Sequence, residues 1–382
     1  RYLAQGNLSL VKEALHERGV LLHNAPHIAQ PLAFVMPSYK WWETAFYGVG
    51  LKIYDLLAGK SAIGSTQFLS KEQVLERLPE VQSTGLRGGV QYWDGQFDDA
   101  RLAIEIARTA QTKGALLLNY CSVEALLHQN DKLVGLTCKD KESERIFDVH
   151  AKCIINATGV WVDGIRSMDA HLSGKKIEPL VTPSQGVHLV VDRAFLSQDC
   201  ALLVPSTQDG RVLFAVPWLG KVILGTTDTP RTDLPIEPLA FAPEVDFILK
   251  ESARYLSKAP TRADVRSVWV GLRPLVKPHN TTSGSTKGIS REHTILMSKS
   301  GLVSVTGGKW TTYRAMAEDV LQQCLEAGLL KEVGEHPTTA DCPLVGATNP
   351  NSDFPTMPLA YAQGLHSYGT GKSLLLTMPG AD

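Results

Sequence analysis

Few of the signatures that settle a fold or a chemistry at sight occur in these 382 residues. No G-x-G-x-x-G is present, so the glycine turn that cradles a dinucleotide pyrophosphate does not stand in this stretch. The nearest approach to a phosphate loop, Gly369-Thr370-Gly371-Lys372-Ser373, needs a glycine five residues before Gly371, and that position is His366. The six cysteines show no C-x-x-C spacing, and most lie in apolar strand or helix patterns, which reads as buried thiols in a reducing compartment. No metal site is expected, because His16, His23 and His27 have no cysteine or carboxylate cluster around them. No run approaches the roughly 18 apolar residues of a membrane span, so any membrane association would be peripheral. A formal charge of −1 argues against a nucleic-acid partner, which would call for a clustered basic surface.

What is present suffices for two sizeable cores, with 43% hydrophobic residues. Residues 8–22 place Leu8, Val11, Leu15 and Leu22 on one helical face. Prolines 26, 31 and 37 then break the pattern, and residues 41–57 form a second, unusually aromatic helix. Its aromatics and flanking lysines would suit a lipid surface, but a buried core helix is the favoured reading. Ser70 with Gln73 is a capping-box signature, and Asp98 caps a helix that ends at Gly114. Strand-like runs at 115–127, 132–138, 145–150 and 153–156 suggest a meander returning to a main sheet. From residue 177 strands with turn punctuation dominate, interrupted by a helix over 243–256. A Ser/Thr/Gly-rich loop covers 277–290, and proline and polar residues beyond Val333 read as a linker.

The most informative stretch is Leu302-Val303-Ser304-Val305-Thr306-Gly307-Gly308-Lys309-Trp310-Thr311-Thr312-Tyr313-Arg314. A β-branched strand runs into two glycines and a helix begins at once. Such a turn lets the backbone approach another molecule and aims free N–H groups and a positive dipole end at it, which favours a phosphate or the edge of a reduced flavin. The competing reading is an ordinary strand-to-helix turn.

Other segments decide between these. Ala157-Thr158-Gly159 ends an apolar strand, and Gly271-Leu272-Arg273-Pro274-Leu275 and Gly288-Ile289-Ser290-Arg291-Glu292-His293-Thr294 precede the glycine turn. With the opening Arg1-Tyr2-Leu3 and with Gly225-Thr226-Thr227-Asp228, this order of motifs resembles FAD-dependent glycerol-3-phosphate dehydrogenase from Arg1 to about Val333. Members of that family open with a strand, a G-x-G-x-x-G turn and a helix, so the resemblance implies a chain lacking its first βαβ unit. The implied fold is α/β, a doubly wound FAD-binding domain interleaved with an antiparallel-sheet substrate domain. Residues 1–25, 91–170 and 271–333 are assigned to the partial FAD domain, 26–90 and 171–270 to the substrate domain. Residues 334–382 are read as a linker and the start of a C-terminal helical domain.

The resemblance further implies FAD as cofactor, glycerol 3-phosphate as substrate and a quinone as electron acceptor, with an oxygen-using oxidase as the nearest rival. An inactive fragment or interaction module is the rival of another class. A peripheral place at the inner membrane follows, cytoplasmic or mitochondrial according to the host, with a homodimer left open. His188 matches the family's active-site histidine, whose neutral imidazole would take the hydroxyl proton, and Arg273 joins it as a catalytic residue. Arg273 stands among apolar neighbours, where an unpaired charge would be costly, so a buried ion pair is its alternative role. Arg1, Tyr2, Arg291 and Lys309 are the candidates for the anionic substrate, since guanidinium forks match phosphate oxygens. Ala157, Thr158, Gly159, Gly307, Gly308, Lys309 and Thr311 are the candidates for the flavin, with Lys309 assigned to the flavin edge or the substrate. Thr311 and Thr312 have helix capping as the simpler role, and Asp228 holding a turn.

Overall fold

Local chemistry accounts for where the elements start. Asp98 accepts from the Arg101 amide at 3.0 Å, and Ser70 and Gln73 exchange both bonds of a capping box, as expected. The computed structural model describes residues 8–171, 177–207, 210–277, 293–331 and 339–347. Arg1, Tyr2, Arg291, nearly all of the loop at 277–290 and the run at 369–373 lie outside these residues. The first part of the chain runs α1 (Leu8–Asn24), β1 (Ala29–Ser38), α2 (Glu43–Ala58), β2 (Gln67–Ser70), α3 (Lys71–Arg77), β3 (Gly88–Phe97) and α4 (Asp99–Thr112). There follow β4 (Cys121–Gln129), β5 (Lys132–Asp140), β6 (Ile146–His150), β7 (Ile154–Asn156), α5 (Val162–His171) and β8 (Val181–Asp192). Next come β9 (Ala201–Val204), β10 (Leu213–Trp218), β11 (Lys221–Gly225), β12 (Thr229–Pro230), α6 (Ala242–Tyr255) and β13 (Ser267–Val276). β14 (His293–Met297), β15 (Leu302–Gly307) and α7 (Tyr313–Glu326) complete the set.

Nine strands form one large sheet in the order β12-β8-β11-β10-β9-β1-β3-β2, with β13 on the other edge of β8. All its pairings are antiparallel except β1 with β9. The β10–β11 hairpin closes on Leu219 (φ 44°) and Gly220 (φ 77°), the double positive φ of a tight two-residue turn. Alternation on β8 sends Val187, Leu189 and Val191 into the main core with Val74 of α3, Leu78 at its C-terminal cap and Ile248 of α6. Each such side chain contributes roughly 1.5–3 kcal/mol on burial, so this face anchors the sheet. Ser184, Gly186 and His188 are thereby turned to the opposite face.

A second sheet has the order β14-β15-β7, with β15 and β7 parallel, and a third is the meander β4-β5-β6. Three of the four expected runs thus form a separate meander, the fourth, β7, joins β15 and not the large sheet, and residues 115–120 precede the meander without joining it. The expected boundaries at 91 and 271 fall inside strands. β3 pairs with β1 along its whole length and β13 with β8, so both belong entirely to the large sheet. Part of the expected linker is docked: Leu344 is buried against Leu21, Ala25 and Leu102, and its amide donates to the Asn24 carbonyl at 2.8 Å. The six cysteines are free thiols, but only Cys138 and Cys324 are buried.

α2 departs from the reading as a buried helix. Tyr47, Leu51, Tyr54 and Leu57 pack inward, yet Phe46, Val49, Ile53 and Leu56 face outward, with Trp41 82% and Leu56 81% exposed. The helix is apolar on both faces, and composition alone does not say which one the fold covers. Among the described residues no helix is long and apolar enough to cross a membrane.

Candidate active site

Two glycines seat the two side chains expected to be catalytic. On β8 His188 lies opposite Gly225 of β11 and Trp269 of β13. A Cβ on Gly225 would come within 2.2 Å of His188 Cδ2 and 3.0 Å of Nε2, so the imidazole lies over the glycine backbone. A Cβ on Gly186 would fall 2.0 Å from Nη2 of Arg273, so the guanidinium lies over that glycine in the same way. Gly186 and His188 are two residues apart on one strand and therefore share a face. The imidazole also packs against Phe214, with ring centroids 5.6 Å apart.

Arg273 is held as well as seated. Its Nη1 donates to the Thr227 carbonyl at 3.1 Å and its Nη2 to Thr226 Oγ1 at 2.9 Å. Asp228 stands 3.8 Å from Nη1, and the Ser184 hydroxyl donates to the same carboxylate. The expectation of a buried ion pair is met in part, since both side chains keep about a fifth to a quarter of their surface, 26% for Arg273 and 20% for Asp228. Asp228 does tie down its turn, and it also orients Arg273. Burial, and after it the charge of Arg273, pushes the His188 imidazole down to about 4. The ring is therefore neutral at physiological pH and able to accept a proton.

The strand-to-helix turn is built by β15. Gly307 (φ 81°) and Gly308 (φ 72°) are both left-handed, which makes glycine the fitting residue at each. The side-chain space at Gly308 is already taken, with Met316 Sδ 2.5 Å and His293 Cβ 3.2 Å from a built Cβ, so packing within the protein also demands glycine there. The helix opens with a tight turn over Trp310–Thr312. Neither Lys309 nor Thr312 makes a side-chain cap, and the Thr312 hydroxyl donates to the Lys309 carbonyl at 3.1 Å. Two cavities flank Lys309. One of about 160 Å³ is lined by Arg18, Tyr54, Asp94, Gln96, Lys309 and Thr311, the other of about 180 Å³ by Glu13, His293, Gly308, Lys309 and Thr312. His188 and Arg273 line neither of them.

At the end of β7, buried Asn156 donates to the Val162 carbonyl at 3.0 Å and accepts from the Thr158 hydroxyl at 2.8 Å, which shapes the turn. Ala157 and Thr158 are exposed beyond it, and Gly159 (φ 60°) has open space where a side chain would stand. Asn156 pairs with Ser304, so this turn and the Gly307-Gly308 turn leave their strands at the same end of the sheet. β13 packs against both β15 and the turn at Gly159–Trp161, so it joins the Arg273 group to the two glycine turns. Backbone turns at parallel strand ends could hold a flat, anionic cofactor, and Ala157, Thr158, Gly159, Gly307, Lys309 and Thr311 stand at these two turns. Sequence reading missed Gly186 and Gly225 as seats for the Arg273 and His188 side chains, a role that shows only once the strands are in register. Among the described residues no group of three or more His, Cys, Asp or Glu side chains is placed to hold a metal.

The known proteins similar to this chain bear on this geometry. The family described as FAD dependent oxidoreductase matches residues 1–314. The mitochondrial glycerol-3-phosphate dehydrogenase of Bos taurus is 44% identical over 330 residues, covering 84% of this chain and 44% of that protein. That of Schizosaccharomyces pombe is 37% identical, covering 98% of this chain and 61% of that protein. The chain therefore spans about half the length of such relatives. The Bacillus halodurans glycerol-3-phosphate dehydrogenase complexed with FAD aligns at TM-score 0.70 and 32% identity, over 86% of this chain and 57% of that one. The Mycoplasma pneumoniae L-alpha-glycerophosphate oxidase with FAD bound aligns at TM-score 0.60 over 86% of this chain and 82% of that one, and at 16% identity it shares the fold alone.

Proposed function

The chain belongs to the FAD-dependent oxidoreductase family, and from that membership we propose that it oxidises sn-glycerol 3-phosphate to dihydroxyacetone phosphate. The observation that carries this reading is the pairing of a neutral His188 with Arg273 on one sheet face, each over its own glycine. Oxidation of a secondary alcohol removes a proton from oxygen and a hydride from carbon. His188 takes the hydroxyl proton on its unprotonated ring nitrogen. FAD, when bound, supplies the acceptor for the hydride. Arg273, fixed by Thr226, Thr227 and Asp228, orients the anionic substrate and stabilises negative charge developing on the alcohol oxygen. Lys309 adds a positive charge at the mouth of the glycine turn, at the flavin edge or the substrate. Arg1, Tyr2 and Arg291 remain assigned to the phosphate end on the motifs they belong to.

A dehydrogenase that passes electrons to a membrane quinone is favoured over an oxidase, because the relatives at 37–44% identity carry the dehydrogenase name. Docking at a mitochondrial membrane surface is supported by the outward apolar row of α2, with Trp41 beside it and Lys40 over the Trp42 ring at 5.7 Å. The test is turnover of glycerol 3-phosphate by the holoprotein with a soluble quinone against oxygen. Rapid quinone reduction with slow peroxide formation is expected, and peroxide production at the same rate would favour the oxidase.

A further inference from the structure

We propose that Glu244 is a positioning residue that sets the spacing of Arg273 and His188 from the far side of the sheet. This rests on the reading of glycerol 3-phosphate oxidation given above. Glu244 stands at the start of α6, on the core face, and is 5% exposed. Its carboxylate accepts four hydrogen bonds. Gln185 Nε2 donates at 2.7 Å, Thr229 Oγ1 at 2.6 Å, Thr227 Oγ1 at 3.1 Å and the Phe241 amide at 2.9 Å. Only the last belongs to its own helix start. The other three reach β8, the β11–β12 connection and the first residue of β12.

Those contacts bracket the residues with chemistry. Gln185 precedes Gly186, the seat of Arg273, and its side chain is further anchored, donating to the Leu239 carbonyl at 3.0 Å and accepting from Arg231. Thr227 Oγ1 accepts from the amide of Val187 at 2.9 Å, directly before His188. The Thr227 carbonyl is the acceptor for Arg273 Nη1, and the neighbouring Thr226 hydroxyl the acceptor for Nη2. One buried carboxylate thus fixes both the strand that presents His188 and the segment that grips Arg273. Four donors converge on one carboxylate, and with Gln185 and Thr227 0% exposed its removal would strand buried donors.

The experiment is a double-mutant cycle on the holoprotein, read as kcat/KM for glycerol 3-phosphate with flavin content and thermal midpoint as controls. Glu244→Ala should lower kcat/KM about tenfold or more, and in an Arg273→Ala background it should cost a clearly smaller factor, because the part of its effect that passes through that side chain is then gone. Where Glu244→Ala yields too little folded protein, Thr227→Val runs the same cycle. It removes the hydroxyl that links Glu244 to the strand while keeping the side-chain shape. Equal fractional losses in both backgrounds, or no loss in either, would overturn the proposal while leaving the functional reading intact. Failure of the wild-type holoprotein to turn over glycerol 3-phosphate would overturn that reading, and this proposal with it.

Discussion

At the residue scale one neutral imidazole, His188, is central to the proposed oxidation. His188→Ala should lower turnover by about 10²–10⁴ with little change in substrate affinity, the usual cost of removing a general base. The pH dependence has a defined sign. An ordinary histidine loses its proton near 6.5, but burial and Arg273 hold His188 down to about 4. The base is therefore ready above about pH 5, and the acid limb of kcat/KM should lie well below 6.5 once the phosphate's own ionisation near pH 6 is allowed for. Arg273→Gln removes the second cause of the shift and should move that limb upward. A wild-type limb at 6.5 that ignores Arg273 would contradict the electrostatics. Gly225→Ala tests the seat. Its Cβ would fall 2.2 Å from His188 Cδ2, the ring must move, and turnover should drop about 10²-fold with the fold retained.

At the scale of elements the sequence was most legible where local rules act alone. Asp98, and Ser70 with Gln73, cap their helices as their spacing implies, and the run from Leu302 to Glu326 is the strand, glycine turn and helix that its composition suggests. Which sheet a strand joins is another matter. Positions 91 and 271 lie inside β3 and β13, which are extended by their own residues but placed by distant partners, β1 and β8. His188 and Arg273 are separable as candidates only through a family motif. Their shared face is a consequence of the β8–β13 register, which no local pattern encodes. The glycine turn makes a prediction of its own. Gly308→Val would force a β-branched side chain into φ 72° and against Met316, so the variant should retain little bound flavin. A normal flavin-to-protein ratio would show that the turn does not hold the cofactor.

At the scale of the whole molecule, the face of the large sheet away from the main core carries both the His188–Arg273 pair and the helix α2. The large sheet is anchored on its core face and carries His188 and Arg273 on the other, while α2 presents Trp41, Phe46, Val49 and Leu56 outward. Replacing both Trp41 and Trp42 with Glu should sharply reduce sedimentation with anionic vesicles while thermal stability and soluble-acceptor turnover hold. Unchanged vesicle binding by the folded variant would remove α2 from the interface. The central claim is tested most directly by anaerobic mixing of the holoprotein with glycerol 3-phosphate, following the loss of flavin colour in a single turnover. Wild type should bleach rapidly, and His188→Ala with the same flavin content should bleach about 10²–10⁴ times more slowly. Bleaching at the same rate in both, or none in wild type, would contradict the account.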